Sequence, residues 1–161
     1  MLHTFLFNRE YECGTRYYPD ADNCLYFLSR LLLRINRTSR HSPSSRPTTC
    51  QSRSRPPTPP DDSTHDFEQD PISKTTQLLI DRVLERVGTS SGGAVQLALR
   101  VLTCAHWAIP CRKDIATLKA MQQDDGGWPG GWMYRYGSTG MRLGNRAVAT
   151  ALACKAIDVA V

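Results

Sequence analysis

Two carboxylates two residues apart, Asp20 and Asp22, stand where an amphipathic segment begins. A carboxylic acid placed there could pass a proton to a substrate if its neighbours kept it protonated and acidic. The same pair fits the ordinary preference for negative charge at the positive end of a helix. A second pair, Asp124 and Asp125, lies in MQQDDGGWPGGWMY (Met121–Tyr134), among two glutamines, two tryptophans and four glycines. Cys104, His106 and Cys111 have side chains that bind zinc, but helical positions two apart point about 200° from each other. That geometry separates Cys104 from His106, which falls instead on the face of Val95, Leu99 and Leu102. No Ser/His/Asp arrangement or phosphate-binding glycine loop stands out. The reading therefore assigns no metal ligands and no cofactor.

The elements that must carry these groups are helical. Asp22–Ile35 places Leu25, Leu28, Leu31, Leu32 and Ile35 on one face and Arg30, Arg34 and Arg37 on another. Ile72–Val87 turns Ile80, Val83 and Val87 inward and Asp81, Arg82, Glu85 and Arg86 outward. Ala94–Ala108 is apolar almost all round except for a stripe of Gln96, Arg100 and Thr103, so it is expected to be buried on several sides. Asp114 is read as the cap of a helix from Ile115 to about Gln122. Asn145 is read as the cap of Arg146–Val159, with Val148, Leu152 and Ala156 on its inner face. These make five helices and no convincing strand.

The chain divides by composition into 1–35, with one amphipathic helix, a linker at 36–66, and a helical body at 67–161. The linker is rich in Ser, Pro, Arg and Thr. It holds too little apolar surface to offset the entropy of ordering its backbone, so disorder is expected there. The formal charge of +5 comes wholly from the first sixty residues, with nine Arg against four acids. No apolar run approaches the ~20 residues of a membrane span, and the N-terminus breaks into Asn-Arg-Glu too early for a signal-peptide core. Six cysteines without a CxxC fit reduced thiols, so the default location is intracellular, cytoplasmic or at a membrane periphery.

Leu118-x3-Gln122-x3-Gly126-x-Trp128 resembles the core of the QW repeat of terpenoid cyclases, with Thr117 where that repeat favours an aromatic. The helix–QDDGGW–helix context is also similar to the hairpin repeats of protein prenyltransferase beta subunits, and both belong to the alpha-alpha toroid group. The resemblance covers Asp114–Val161 and extends back to Ile72. It implies that Gln122, Gly126, Gly127 and Trp128 form a clasp between neighbouring hairpins rather than a catalytic centre. In physical terms, Gly126 and Gly127 can turn sharply through positive φ. The Gln122 amide can satisfy orphan groups at the next helix end. Trp128 offers a broad apolar face and one donor.

Cyclases that protonate an alkene carry Asp-x-Asp-Asp, and Asp20-Ala21-Asp22-Asn23 resembles it with Asn23 in the last place. The resemblance makes Asp22 the candidate acid and Asp20 its neighbour. Asp124 and Asp125 lack the third acid of the DDxxD magnesium motif. Trp132, Tyr134 and Tyr136 either line a cavity, where ring faces stabilise carbocations, or pack the loop over helix ends.

The implied fold is all-α: helical hairpins of an incomplete toroid, since a closed ring takes roughly twice five helices at typical helix and loop lengths. The expected function is that of a partial terpenoid-cyclase-like chain without full catalytic equipment, related to cyclases of polyprenyl substrates. Open hairpin faces imply self-association or a partner chain. Two alternatives stand beside it. One is an interaction module that binds a protein, or touches anionic membrane or RNA through its arginines. The other is an active cyclase with Asp22 as proton donor.

Overall fold

The computed structural model describes residues 1–18, 20–40, 71–89 and 91–160. Among them the chain forms six α-helices: α1 (Leu2–Phe7), α2 (Ala21–Arg40), α3 (Pro71–Leu84), α4 (Ala94–His106), α5 (Arg112–Ala120) and α6 (Arg146–Val159). A two-stranded antiparallel hairpin, β1 (Trp132–Tyr136) and β2 (Met141–Gly144), lies between α5 and α6. The helical class read from the sequence holds, with this hairpin as a departure from it. Aromatic side chains in alternation suit a pleated ribbon, and Gly137–Thr139 makes the tight connection.

Helix α4 is the axis of the molecule. Eleven of its residues, Ala94 to Cys104, are buried, including the Gln96, Arg100 and Thr103 stripe. Against it α2 sets Ala21, Cys24, Leu25 and Leu32, all within 5% of full burial. Leu31, read as inward, is 48% exposed. Helix α2 also continues to Arg40, so the expected linker starts inside a helix; residues 41–66 of that segment lie outside the described ones.

Helix α6 buries the expected Ala156 together with Ala149 and Ala153, half-buries the expected Leu152 against the core, and leaves Val148, read as inward, 39% exposed. Small side chains on the inner face let a second helix backbone approach α4 closely, so methyl-sized residues take the place of bulky ones. Helix α3 buries Thr75, Leu79 and Val83. Six-residue α1, too short to show a periodic signal, packs on α3 through Leu6, whose carbonyl accepts from Arg82 Nε at 3.3 Å. None of the helices among the described residues is long and apolar enough to cross a membrane.

Candidate functional site

The start of α2 delivers Asp22 into the interior at 2% exposure. There two guanidinium groups grip it. Arg86 donates from Nε to Oδ1 and from Nη2 to Oδ2, both at 2.9 Å. Arg100 donates from Nε to Oδ1 at 3.1 Å and from Nη2 to Oδ2 at 2.8 Å. Burial pushes the Asp22 carboxyl up, but the hydrogen bonds and charges of Arg86 and Arg100 outweigh it and hold it below the ordinary carboxylate value. The same contacts raise Arg86 above the usual arginine value. Arg86, read as outward, is therefore turned inward by a carboxylate 64 residues earlier in the chain.

Arg100, only 2% exposed, spends its remaining donors on the α3–α4 connection and on α5. Nη1 reaches the Thr89 carbonyl and hydroxyl at 3.1 Å and Asp114 Oδ1 at 3.5 Å, and Nη2 reaches the Ser91 carbonyl at 2.9 Å. Asp114 is not the cap expected: α5 begins earlier, after Cys111, and Asp114 sits buried in its first turn. Its two oxygens accept from the backbone N–H of Gly88 at 3.1 Å. Asp22 and Asp114 thus balance Arg86 and Arg100, and one charge-neutral knot ties α2, the turn after α3, α4 and α5.

Asp20 lies beside the knot without joining it. Gln96 Nε2 donates to Asp20 Oδ2 at 2.7 Å and to the Trp132 carbonyl at 3.2 Å, while Asn23 Nδ2 donates to the Met133 carbonyl at 2.8 Å. The backbone of β1 is thereby pinned over the start of α2. Its aromatic side chains lie elsewhere: Trp132 and Tyr136 are 49% and 59% exposed, and Tyr134 stacks on Tyr17 at 5.9 Å. The structure brings the backbone of the aromatic strand to the candidate acids, while the ring side chains of Trp132 and Tyr136 stand exposed away from them. The large apolar groove, about 820 Å³, runs along α1 and α2 and is lined by Leu2, Phe5, Phe27, Leu28 and Leu31.

In the loop after α5, Trp128 is 3% exposed and donates from Nε1 to the Leu118 carbonyl at 2.7 Å. Its own N–H meets Thr150 Oγ1 of α6 at 3.1 Å. Gln122 Nε2 donates to the Gly126 carbonyl at 2.8 Å. That bond closes its own loop and does not reach the next helix as expected. Gly126 takes φ +82°, whereas a side chain on Gly127 would run into the Arg146 guanidinium. Backbone handedness therefore calls for glycine at Gly126, while Gly127, expected to share that positive φ, does not take it.

The link to α6 that sequence reasoning missed is an ion pair between Asp125 and Arg146, supported by Gly127 N–H donating to Asp125 Oδ1 at 3.1 Å. The Arg146 hydrogen bond is the leading cause that lowers the Asp125 carboxyl. An acid at the end of one loop and an arginine at the start of the following helix is the signal that could have found it. Asn145 caps α6 as expected, its side-chain oxygen accepting from Ala147 N–H at 2.6 Å. His106 is half-buried, with Nδ1 at 3.1 Å from Ser29 Oγ and its ring stacked on Tyr26. Burial lowers it, helped by Arg30 and Arg37.

No protein-family model matches the chain, and no solved structure matches it at a significant level. Among curated proteins it is similar to the drimenol cyclase drtB of Aspergillus calidoustus, with 35% identity over 152 residues. That alignment takes in 94% of this chain and 23% of the relative, so the chain spans about a quarter of the length of the protein it matches. Across nearly all of its own length, therefore, this sequence is similar to part of a terpenoid cyclase.

Proposed function

We propose that the chain is a helical-hairpin portion of a terpenoid-cyclase-type protein that acts on polyprenyl substrates, and that it supplies framework without a complete catalytic centre of its own. The Gln122–Gly126–Gly127–Trp128 loop is the hairpin clasp of that framework. The single observation that carries the second half is the state of Asp22. A proton donor must hold a proton and face its substrate, whereas Asp22 is buried and accepts four hydrogen bonds from two guanidiniums. An acid so placed is stabilised as its carboxylate. For Asp22 to protonate an alkene, both arginines would have to withdraw.

The test is incubation of the purified chain with farnesyl diphosphate, geranylgeranyl diphosphate and squalene, followed by product analysis. Cyclised product no greater than in a protein-free blank is the expected outcome. Turnover that disappears in Asp22→Asn, with helix content unchanged, would instead establish Asp22 as the acid of an active cyclase.

One observation favours a second reading. Arg30, Arg34 and Arg37 on the long α2 form no ion pair among the described residues. A row of arginines on one face of α2 beside the exposed Leu31 suits an anionic membrane surface. Binding to phosphatidylserine vesicles that weakens with salt and is lost when the three arginines become alanine would support this role. Binding equally to neutral vesicles would count against it.

A further inference from the structure

The groove along α1 and α2 is apolar through most of its length. On α2, Cys24, Phe27, Leu28 and Leu31 recur every three or four residues and so share one face. Leu2 and Phe5 of α1 form the other wall, and Tyr18 closes a side by stacking on Phe27 at 4.7 Å. Cys24 lines it at 4% exposure, where burial pushes the thiol up to about 11, so that side chain carries no charge at neutral pH. The volume of about 820 Å³ falls within the roughly 300–1,000 Å³ of sites that hold one small molecule. A bilayer surface is entered by apolar side chains that stand out from a protein. Here they line a hollow.

Charge around the groove is uneven. Helix α2 holds no acid after Asp22. Arg34, exposed, follows Leu31 by three residues, the spacing of neighbours on a helix surface. Arg30 is engaged elsewhere, its guanidinium over the Tyr26 ring at 5.8 Å from the centroid, and Arg37, seven residues on, shares that side of the helix. Arg34 is therefore the arginine of the row that stands next to the groove. The acid of the lining is Glu10, in the connection between α1 and α2.

We propose that the groove binds a free fatty acid, with the hydrocarbon chain between α1 and α2 and the carboxylate on Arg34. The chain follows the path that α2 keeps apolar from Cys24 to Leu31, about 10 Å along the axis at the helical rise per residue. A planar guanidinium matches one carboxylate through two parallel N–H···O bonds. A single neighbouring cation suits a head with a single charge. Glu10 repels a carboxylate that would enter the other way round.

The test is calorimetric titration of the full chain with octanoate, decanoate and dodecanoate, each below its micelle-forming concentration. One molecule should bind per chain, with affinity rising about fourfold for each methylene added until the groove is filled. Arg34→Gln should weaken dodecanoate about tenfold and leave dodecanol, the same chain without the charge, unchanged. Leu28→Trp, which fills the groove, should abolish binding of both. If that variant loses its helical signal, Leu31→Glu at the exposed rim takes its place, with dodecanoate binding lost and helix content kept. Dodecanoate that fails to saturate at one per chain, or that binds Arg34→Gln as it binds wild type, would overturn the proposal. Binding to phosphatidylserine vesicles without binding of dodecanoate would also overturn it and assign the arginines to a bilayer surface.

Discussion

At the scale of single residues, Asp22 decides most. Removing one member of a buried, balanced charge cluster leaves its partners unpaired at a cost of about 3–5 kcal/mol. Asp22→Asn is expected to lower the urea unfolding free energy by that order, while Asp20→Asn, outside the knot, changes it far less. The folded carboxyl lies below its unfolded value. The wild-type protein should therefore hold the full contribution above pH ~4, near the unfolded carboxylate value, and lose it as pH falls through the folded value. Urea melts between pH 6 and 3 should show that loss in wild type and a flatter profile in Asp22→Asn. An equal slope in both would show that Asp22 is not held as its carboxylate by the arginines. The sequence singled Asp22 out as a residue of consequence, but its partners were not readable from it. Hydrophobic periodicity puts Arg86 on an outer face, and nothing local announces a carboxylate 64 residues away that turns it inward.

At the scale of elements, the turn from Gln122 to Trp128 was legible in composition and less so in wiring. Glycines and a tryptophan at fixed spacing announce a tight turn around a bulky side chain, and the Asn145 cap is local enough to read directly. The Gln122 amide, by contrast, turned back to Gly126, because its partner is set by the path of the loop. The β-hairpin was overlooked because its aromatic alternation lies among glycines that also suit a loop. Trp128→Phe keeps most of the apolar face and removes the N–H that meets the buried Leu118 carbonyl. It is expected to cost about 1–3 kcal/mol, the penalty for an unsatisfied buried acceptor, read as a lower urea midpoint at an unchanged slope. A loss below ~0.5 kcal/mol, smaller than a typical net hydrogen bond, would mean that the indole donor does not hold the loop.

At the scale of the whole molecule, helical packing was readable because α4 shows its burial in its own composition, while the inward placement of Ala149 and Ala153 on α6 was not. Alanine carries little hydrophobic signal, and only the nearness of α4 adds Ala149 and Ala153 to the expected Ala156 on the inner face. The knot at Asp22 has one more consequence. It joins groups from the chain before residue 41 to groups from the chain after residue 70, and α1 and α2 bury their leucines against the later helices. Residues on both sides of 41–70 therefore meet through side chains, independently of the peptide that connects them. Two separately made polypeptides, 1–40 and 71–161, should accordingly find each other in solution and rebuild the native helical spectrum as a one-to-one complex. Mixing that leaves both halves with the sum of their separate spectra would show that the covalent connection, and not the knot, keeps the molecule whole.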